Sequence, residues 1–144
     1  DTLPESIGNL TSLENLIVAN NKLQSLPESI GDLINLENIN LSSNRLSFLP
    51  STLNNLKSLK SIDISNNKFK DSSTLEFVKV LNLRAARNKA NSMIQIAERF
   101  LGEHNSATIE QKSNVLRKIE KLKTIINSDN IEEIESRTHD LSFY

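Results

Sequence analysis

Residues 3–25, LPESIGNLTSLENLIVANNKLQS, are followed by 26–48, LPESIGDLINLENINLSSNRLSF, and then by 49–71, LPSTLNNLKSLKSIDISNNKFKD. A fixed period of 23 residues constrains the fold more than any other feature of this chain. One such unit has too little apolar surface to bury its own inner side, whereas stacked units bury it against each other. The apolar positions that recur are Ile7/Ile30/Leu53, Leu10/Leu33/Leu56, Leu13/Leu36/Leu59, Leu16/Ile39/Ile62, Val18/Leu41/Ile64 and Leu23/Leu46/Phe69. Within each copy the stretch L-x-x-L-x-V/L/I alternates as a short strand does. Stacked at this period, the strands form a parallel sheet.

One polar position recurs just as firmly, Asn21/Asn44/Asn67. A tight turn leaving a buried strand exposes backbone groups to an apolar surrounding, and an amide side chain carries both the donors and the acceptor that satisfy them. The Leu-Pro pairs at 3–4, 26–27 and 49–50 keep the leucine extended and prevent a helix from crossing the boundary.

The pattern LPxxIGxLxxLxxLxLxxNxL over residues 3–71 resembles the leucine-rich repeat family. Its spacing is similar to the intracellular type of Ras-suppressor and Scribble-like proteins and of many bacterial effectors. The resemblance implies a solenoid whose concave face carries the outward strand residues. In this chain these are Glu14, Asn15, Ile17 and Ala19; Glu37, Asn38, Asn40 and Ser42; and Lys60, Ser61, Asp63 and Ser65. They vary while the ladders stay fixed, as residues of a binding strip do; an ordinary solvated sheet face would show the same letters. Three strands about 4.8 Å apart and about 17 Å long offer only a few hundred Å², against roughly 800 Å² per partner in a standard interface. The strip also lacks an aromatic anchor. The expectation is therefore that further repeats precede residue 1, the chain being a piece of a longer protein, or that the partner touches other surfaces too.

After Asp71 the period changes. Ser73-Thr74-Leu75-Glu76 reads as a capping box, and Leu75, Val78, Leu81, Ala85, Ala86, Ala90, Met93, Ile94, Ala97, Phe100 and Leu101 follow helical spacing up to Gly102. A helix over 74–102 would be about 43 Å long, and its first turns are expected to cover the apolar end of the third repeat with Leu75 and Val78. The rival reading takes Val78, Leu81 and Leu83 as a degenerate fourth repeat. Thr108-Ile109-Glu110-Gln111 opens a second helix, 109–127, with Val115, Leu116, Ile119, Leu122, Ile125 and Ile126 as its stripe. Asp129 with Glu132 opens a third, 130–142, with Ile131, Ile134, Thr138 and Leu141 inward. Short connections make these helices antiparallel neighbours. The fold class expected is thus an α/β (α+β mosaic) chain: leucine-rich repeats over 1–72, then an antiparallel bundle of about three helices over 73–144.

The segments ARNKANSMIQIAERFLGEH and SDNIEEIESRTHDLS carry a second likeness. Through Arg87, Asn88, Ala90, Met93 and Ile94, and through Ser128, Asp129, Ile131 and Ile134, residues 80–142 resemble the C-terminal lid of seventy-kilodalton heat-shock chaperones of the DnaK type. That implies a helical bundle and a chaperone-related alternative in which it binds peptide or a chaperone. It does not carry ATPase activity, whose domain is not in this chain.

No catalytic constellation is read from the letters. There is no cysteine, which removes disulfides and thiolate chemistry. Gly8, Gly31 and Gly102 form no phosphate-cradling loop. His104 suits a helix C-terminus and His139-Asp140 points two ways on a helix; neither is assigned to catalysis or to a metal. Glu132, Glu133 and Glu135 suit a helix N-terminus. Lys112, Arg117, Lys118, Lys121 and Lys123 form a solvated basic face or a patch for an acidic partner. A net charge of -1 gives no global field for nucleic acid or an anionic membrane, and no apolar run approaches the roughly 18 residues that span a bilayer. The reading is a non-enzymatic protein-interaction module without cofactor or metal, with a host protein or a small GTPase among the partners the resemblance implies. Its alternatives are a chaperone-linked segment, or the non-catalytic part of a larger enzyme or secreted effector. The expected location is cytoplasmic, or the host cytoplasm for an effector.

Overall fold

The computed structural model describes residues 1–103 and 107–142; His104 lies outside them. Each repeat begins the same way. Its proline (Pro4, Pro27 or Pro50) is extended, with φ between -70° and -65°, and starts a single 3₁₀ turn: Glu5–Asn9, Glu28–Asp32 or Ser51–Asn55. A short strand follows: β1 (Asn15–Ile17), β2 (Asn38–Asn40) and β3 (Ser61–Asp63). The three form one parallel sheet in the order β1-β2-β3. The register sets Leu16 beside Ile39 and Ile39 beside Ile62, so the 23-residue period is the pairing register itself.

The ladders form the core. Ile30, Leu33, Leu36, Ile39, Leu41 and Leu46 of the second coil are fully buried, as are Leu53, Leu56 and Leu59 of the third. The first coil is looser. Leu16 and Leu23 are buried, but Ile7, Leu13 and Val18 are only partly so, and Leu10 is 51% exposed where Leu33 is 0%.

The asparagines do more than close their own turns. Asn44 Nδ2 donates to Leu41 O at 3.0 Å within its coil and to Val18 O at 2.9 Å in the coil before, while its Oδ1 accepts from Leu23 N at 3.0 Å. Asn67 repeats the arrangement with Ile64 O, Leu41 O and Leu46 N. Hydroxyls bond between coils in the same way, Ser29 Oγ to Glu5 O and Thr52 Oγ1 to Glu28 O, both at 2.7 Å. The strand is left through Asn20, Ser43 and Asn66, whose φ of 55–58° is left-handed, a conformation that asparagine tolerates better than most residues.

The segment after Asp71 is helical, not a fourth repeat: α1 runs Ser72–Glu103, α2 Ile109–Ile125 and α3 Ile131–Leu141. The cap of α1 is not Ser73. Asp71 Oδ1 accepts from Thr74 N and from Ser73 Oγ, both at 2.6 Å, so the last residue of the repeat frame opens the helix. The side of α1 turned to the repeats also differs from expectation. Val78 and Leu81 are buried in the repeat core with Phe77 partly so, but Leu75 points outward at 48% exposure. By packing the chain divides between Ala85 and Ala86, within α1.

The second unit stands on its own contacts. Thr108 caps α2 by accepting from Gln111 N, and Gln111 Oε1 accepts in return from Thr108 N, a complete capping box. The cap of α3 is Asn130, whose Oδ1 takes Glu133 N at 3.1 Å; Asp129, the expected cap, lies one residue too early. Lys118 Nζ of α2 donates to Asp140 O near the end of α3, so the two helices form an antiparallel pair. Ala86, Ala90, Ile94, Ala97, Val115, Ile119, Leu122, Ile126, Ile134, Thr138 and Leu141 are buried. Leu116 is not part of that stripe: it is 51% exposed, because it lies a full 100° round the helix from Val115. Arg87 closes the far end of α2. Its Nε donates to Ile126 O, and its Nη2 donates to Asn127 O, Ser128 O and Asp129 Oδ1, all within 3.2 Å. A cation there also meets the negative end of the helix dipole. No helix among the described residues is long and apolar enough to cross a membrane.

Candidate functional site

The alternation of the strands settles where the candidate residues stand. Leu16, Ile39 and Ile62 turn inward, so the side chains on either side of each turn outward. All twelve residues named from the repeat pattern lie on this outward face or its borders, and none is buried. They form rows across the sheet, Glu14/Glu37/Lys60, Asn15/Asn38/Ser61, Ile17/Asn40/Asp63 and Ala19/Ser42/Ser65, following the pairing register and its continuation on either side.

The rows are cross-linked. Lys60 Nζ pairs with Glu37 Oε1 at 2.6 Å, with both side chains about one-third exposed. Asn38 Nδ2 donates to Asn15 Oδ1 at 2.7 Å. At the strand exits two short turns match: Ser42 N and Oγ donate to Asn40 Oδ1, and Ser65 N and Oγ donate to Asp63 Oδ1. These bonds from Ser65, backbone first, hold the Asp63 carboxyl below its ordinary 3.8, so it is charged at neutral pH. Glu14 makes no ion pair among the described residues. With Glu37 neutralised by Lys60, Glu14 and Asp63 leave the face acidic. One large apolar side chain stands in this polar surface, Ile17 at 76% exposure.

Asn44 and Asn67 lie beneath the strand exits and serve the scaffold in the bonds described above; Asn21, exposed in the first coil, donates to Val18 O and Ala19 O of its own turn. Among the described residues, no three of His, Asp and Glu come together to hold a metal. The 23-residue period carries one further column that the apolar ladders overshadow: Lys22, Arg45 and Lys68, all exposed. Its signal is the same spacing, read on polar letters.

A family model, leucine-rich repeat region, matches residues 1–142. The chain belongs to the leucine-rich repeat family. The match takes in the three helices as well as the repeats. Among solved structures, a leucine-rich-repeat protein of Leptospira interrogans is 35% identical with a TM-score of 0.53, covering 56% of this chain and 20% of that one. The present chain thus spans about a fifth of that protein's length. No curated protein matches. Leucine-rich repeats are in general protein-binding modules and not catalysts.

Proposed function

We propose that the outward face of the β1–β3 sheet binds another protein. The observation that carries this reading is Ile17. It is an exposed isoleucine at the one position of its row where the other coils carry Asn40 and Asp63, set in a polar surface whose side chains already hold one another in place. Solvating such a side chain brings the scaffold nothing, while an apolar side chain amid polar neighbours suits a partner contact. Preorganised neighbours lose little side-chain freedom on binding. The partner expected presents an apolar pocket for Ile17 and basic groups toward Glu14 and Asp63. The helical bundle of residues 86–142 covers its own core and offers a second surface. A chaperone-related role is less well supported: Ala90 and Ile94, two of the letters behind that likeness, are buried and so are not a surface for clients.

The test is capture of a folded partner by the full chain, compared with Lys60→Glu/Asp63→Lys, which inverts two charges of the face and breaks the Glu37 pair. The double variant is expected to keep its circular dichroism and lose capture. Undiminished capture, or capture lost instead in Leu116→Asp on α2, overturns the assignment to the sheet.

A further inference from the structure

Position 20 of the repeat is cationic in every coil: Lys22, Arg45 and Lys68. The backbone stacks these residues directly. Arg45 N donates to Leu23 O and Lys68 N to Leu46 O, each at 2.8 Å, and each step is flanked by the bond from Leu23 N to Asn44 Oδ1 or from Leu46 N to Asn67 Oδ1. Adjacent coils joined in this way are about 4.8 Å apart, which places the first and third cations about 9.6 Å apart at their bases. Lys70 adds a fourth exposed cation on the third coil.

Like charges in register repel, and among the described residues no ion pair takes up Lys22, Arg45 or Lys68. The ion pairs among the described residues use Lys60, Lys79, Arg87, Lys123 and Arg137. Asp71, the residue after Lys70, turns its Oδ1 to Ser73 and Thr74 and makes no ion pair among the described residues. The left-handed residues Asn20, Ser43 and Asn66 turn the chain out of the sheet just before the column, so it lies beside the proposed binding face and not within it.

We propose that Lys22, Arg45 and Lys68 form a docking ladder for an acidic α-helix of a partner protein. Charge complementarity and spacing both argue for this occupant. On one face of a helix, carboxylates at i, i+3 or i+4, and i+7 span about 10.5 Å, close to the 9.6 Å of the ladder. On an extended strand, three carboxylates on one face span about 13 Å and fall out of step. Duplex DNA carries a charge every 1.7 Å or so along its axis and is held by a broad cationic field, which a chain of net charge -1 does not supply. An anionic membrane is held by clusters of about four to eight basic residues placed beside a membrane-spanning helix or on an amphipathic one, whereas these four stand in the repeat coils.

The probe is a labelled helical peptide of about 20 residues, long enough to hold a helix in water, with glutamates along one face, titrated onto the full chain by fluorescence anisotropy. Binding is expected to be weak and salt-sensitive. Lys22→Gln/Arg45→Gln/Lys68→Gln is expected to lose about tenfold in affinity, since charge-assisted bonds are the strong ones, and to unfold no more easily than the parent, because repulsion has been removed. Lys60→Glu/Asp63→Lys is expected to bind the peptide as the parent does, which separates this proposal from the sheet-face reading. The proposal is overturned if the peptide does not bind, if the triple-glutamine variant binds it equally, or if a peptide with its glutamates spread around the helix binds as well. Tighter, ladder-dependent binding of duplex DNA or of phosphatidylserine vesicles also overturns it.

Discussion

Residues 1–71 and residues 86–142 are stabilised according to opposite rules. In the repeats, a contact made once is made again 23 positions on: Ser29 to Glu5 and Thr52 to Glu28, Asn44 to Leu23 and Asn67 to Leu46. In the helices each contact is made once, as by Arg87 at the end of α2 or Lys123 with Glu98. Where contacts repeat, one coil's fit depends on the next, and substitutions in the middle coil disturb two junctions. Where they do not, damage stays local.

The largest expected contrast uses the same change in both regions. A Cβ on Gly31 would come within 2.5 Å of Thr52 Cβ and Thr52 O, a collision partly with backbone that no rotamer relieves. Gly31→Ala is expected to cost about 3 kcal/mol, the upper range for overpacking. At Gly8 the nearest atom is Ser29 O at 2.8 Å, so the loss there should be smaller. A Cβ on Gly102, near the end of α1, meets nothing within 4 Å; alanine there is expected to stabilise by about 0.5 kcal/mol. Urea unfolding followed by circular dichroism measures all three. A neutral Gly31→Ala would mean that the coils do not approach as closely as the stacked fold requires. The third copy shows the reason for the glycine by lacking it. Asn54 stands in its place, the next element is helical, and Arg84 donates to both Asn54 O and Asn54 Oδ1.

A smaller contrast sets Asn44 against Arg87. Asn44→Ala strands Leu23 N, while Val18 O keeps Asn21 Nδ2 and Leu41 O keeps Asn67 Nδ2; at about 1–3 kcal/mol for a buried polar group left alone, a loss of about 2 kcal/mol is expected. Arg87 is about one-third exposed, and the carbonyls it serves can turn to water, so Arg87→Ala is expected to cost about 1 kcal/mol. Amide hydrogen exchange separates the two further. The first variant should speed exchange across all three coils, the second only around the end of α2 and the start of α3. Exchange that rises equally in both regions for either variant would remove the distinction drawn between them.

The same distinction explains what could be read from the letters. The ladders were legible because three copies average out accident, and the outward rows followed from alternation alone. The pairings within the rows, such as Lys60 with Glu37, were not, since they depend on which coil lies beside which and on rotamers. In the helices only a face could be read. Spacing alone put Leu75 and Leu116 inward, yet each is about half exposed. Capping letters were ambiguous where acceptors crowd: Asp71 won over Ser73 and Asn130 over Asp129, while Thr108, with no rival beside it, was clear. The cationic column Lys22/Arg45/Lys68 carries no apolar signal and buries nothing, so only its 23-residue spacing marks it.

The smallest expected effect lies at the junction, where Asp71 ends one rule and begins the other. Ser73 and Thr74 bond to its carboxylate and lower its pKa from 3.8 to about 2. A carboxyl whose pKa is lower folded than unfolded stabilises the protein fully above the unfolded value, and that contribution is lost as pH falls through the folded one. The window for Asp71 is therefore from about pH 4 down to about pH 2. Asp71→Asn keeps an acceptor for Thr74 N and removes the titration, so its stability should fall less steeply than the parent's across that window. The group is fully exposed, and solvent screening keeps the difference small. Asp63, also held below its ordinary value, titrates in the same direction within the repeats, so Asp63→Asn is the necessary companion. If the Asp71 variant flattens the acid limb only for α1, seen in the helical signal, the cap serves the helix alone. If the coils flatten with it, Asp71 couples the last repeat to the helix that covers it. An acid limb unchanged in both variants would mean that other carboxylates set the low-pH behaviour.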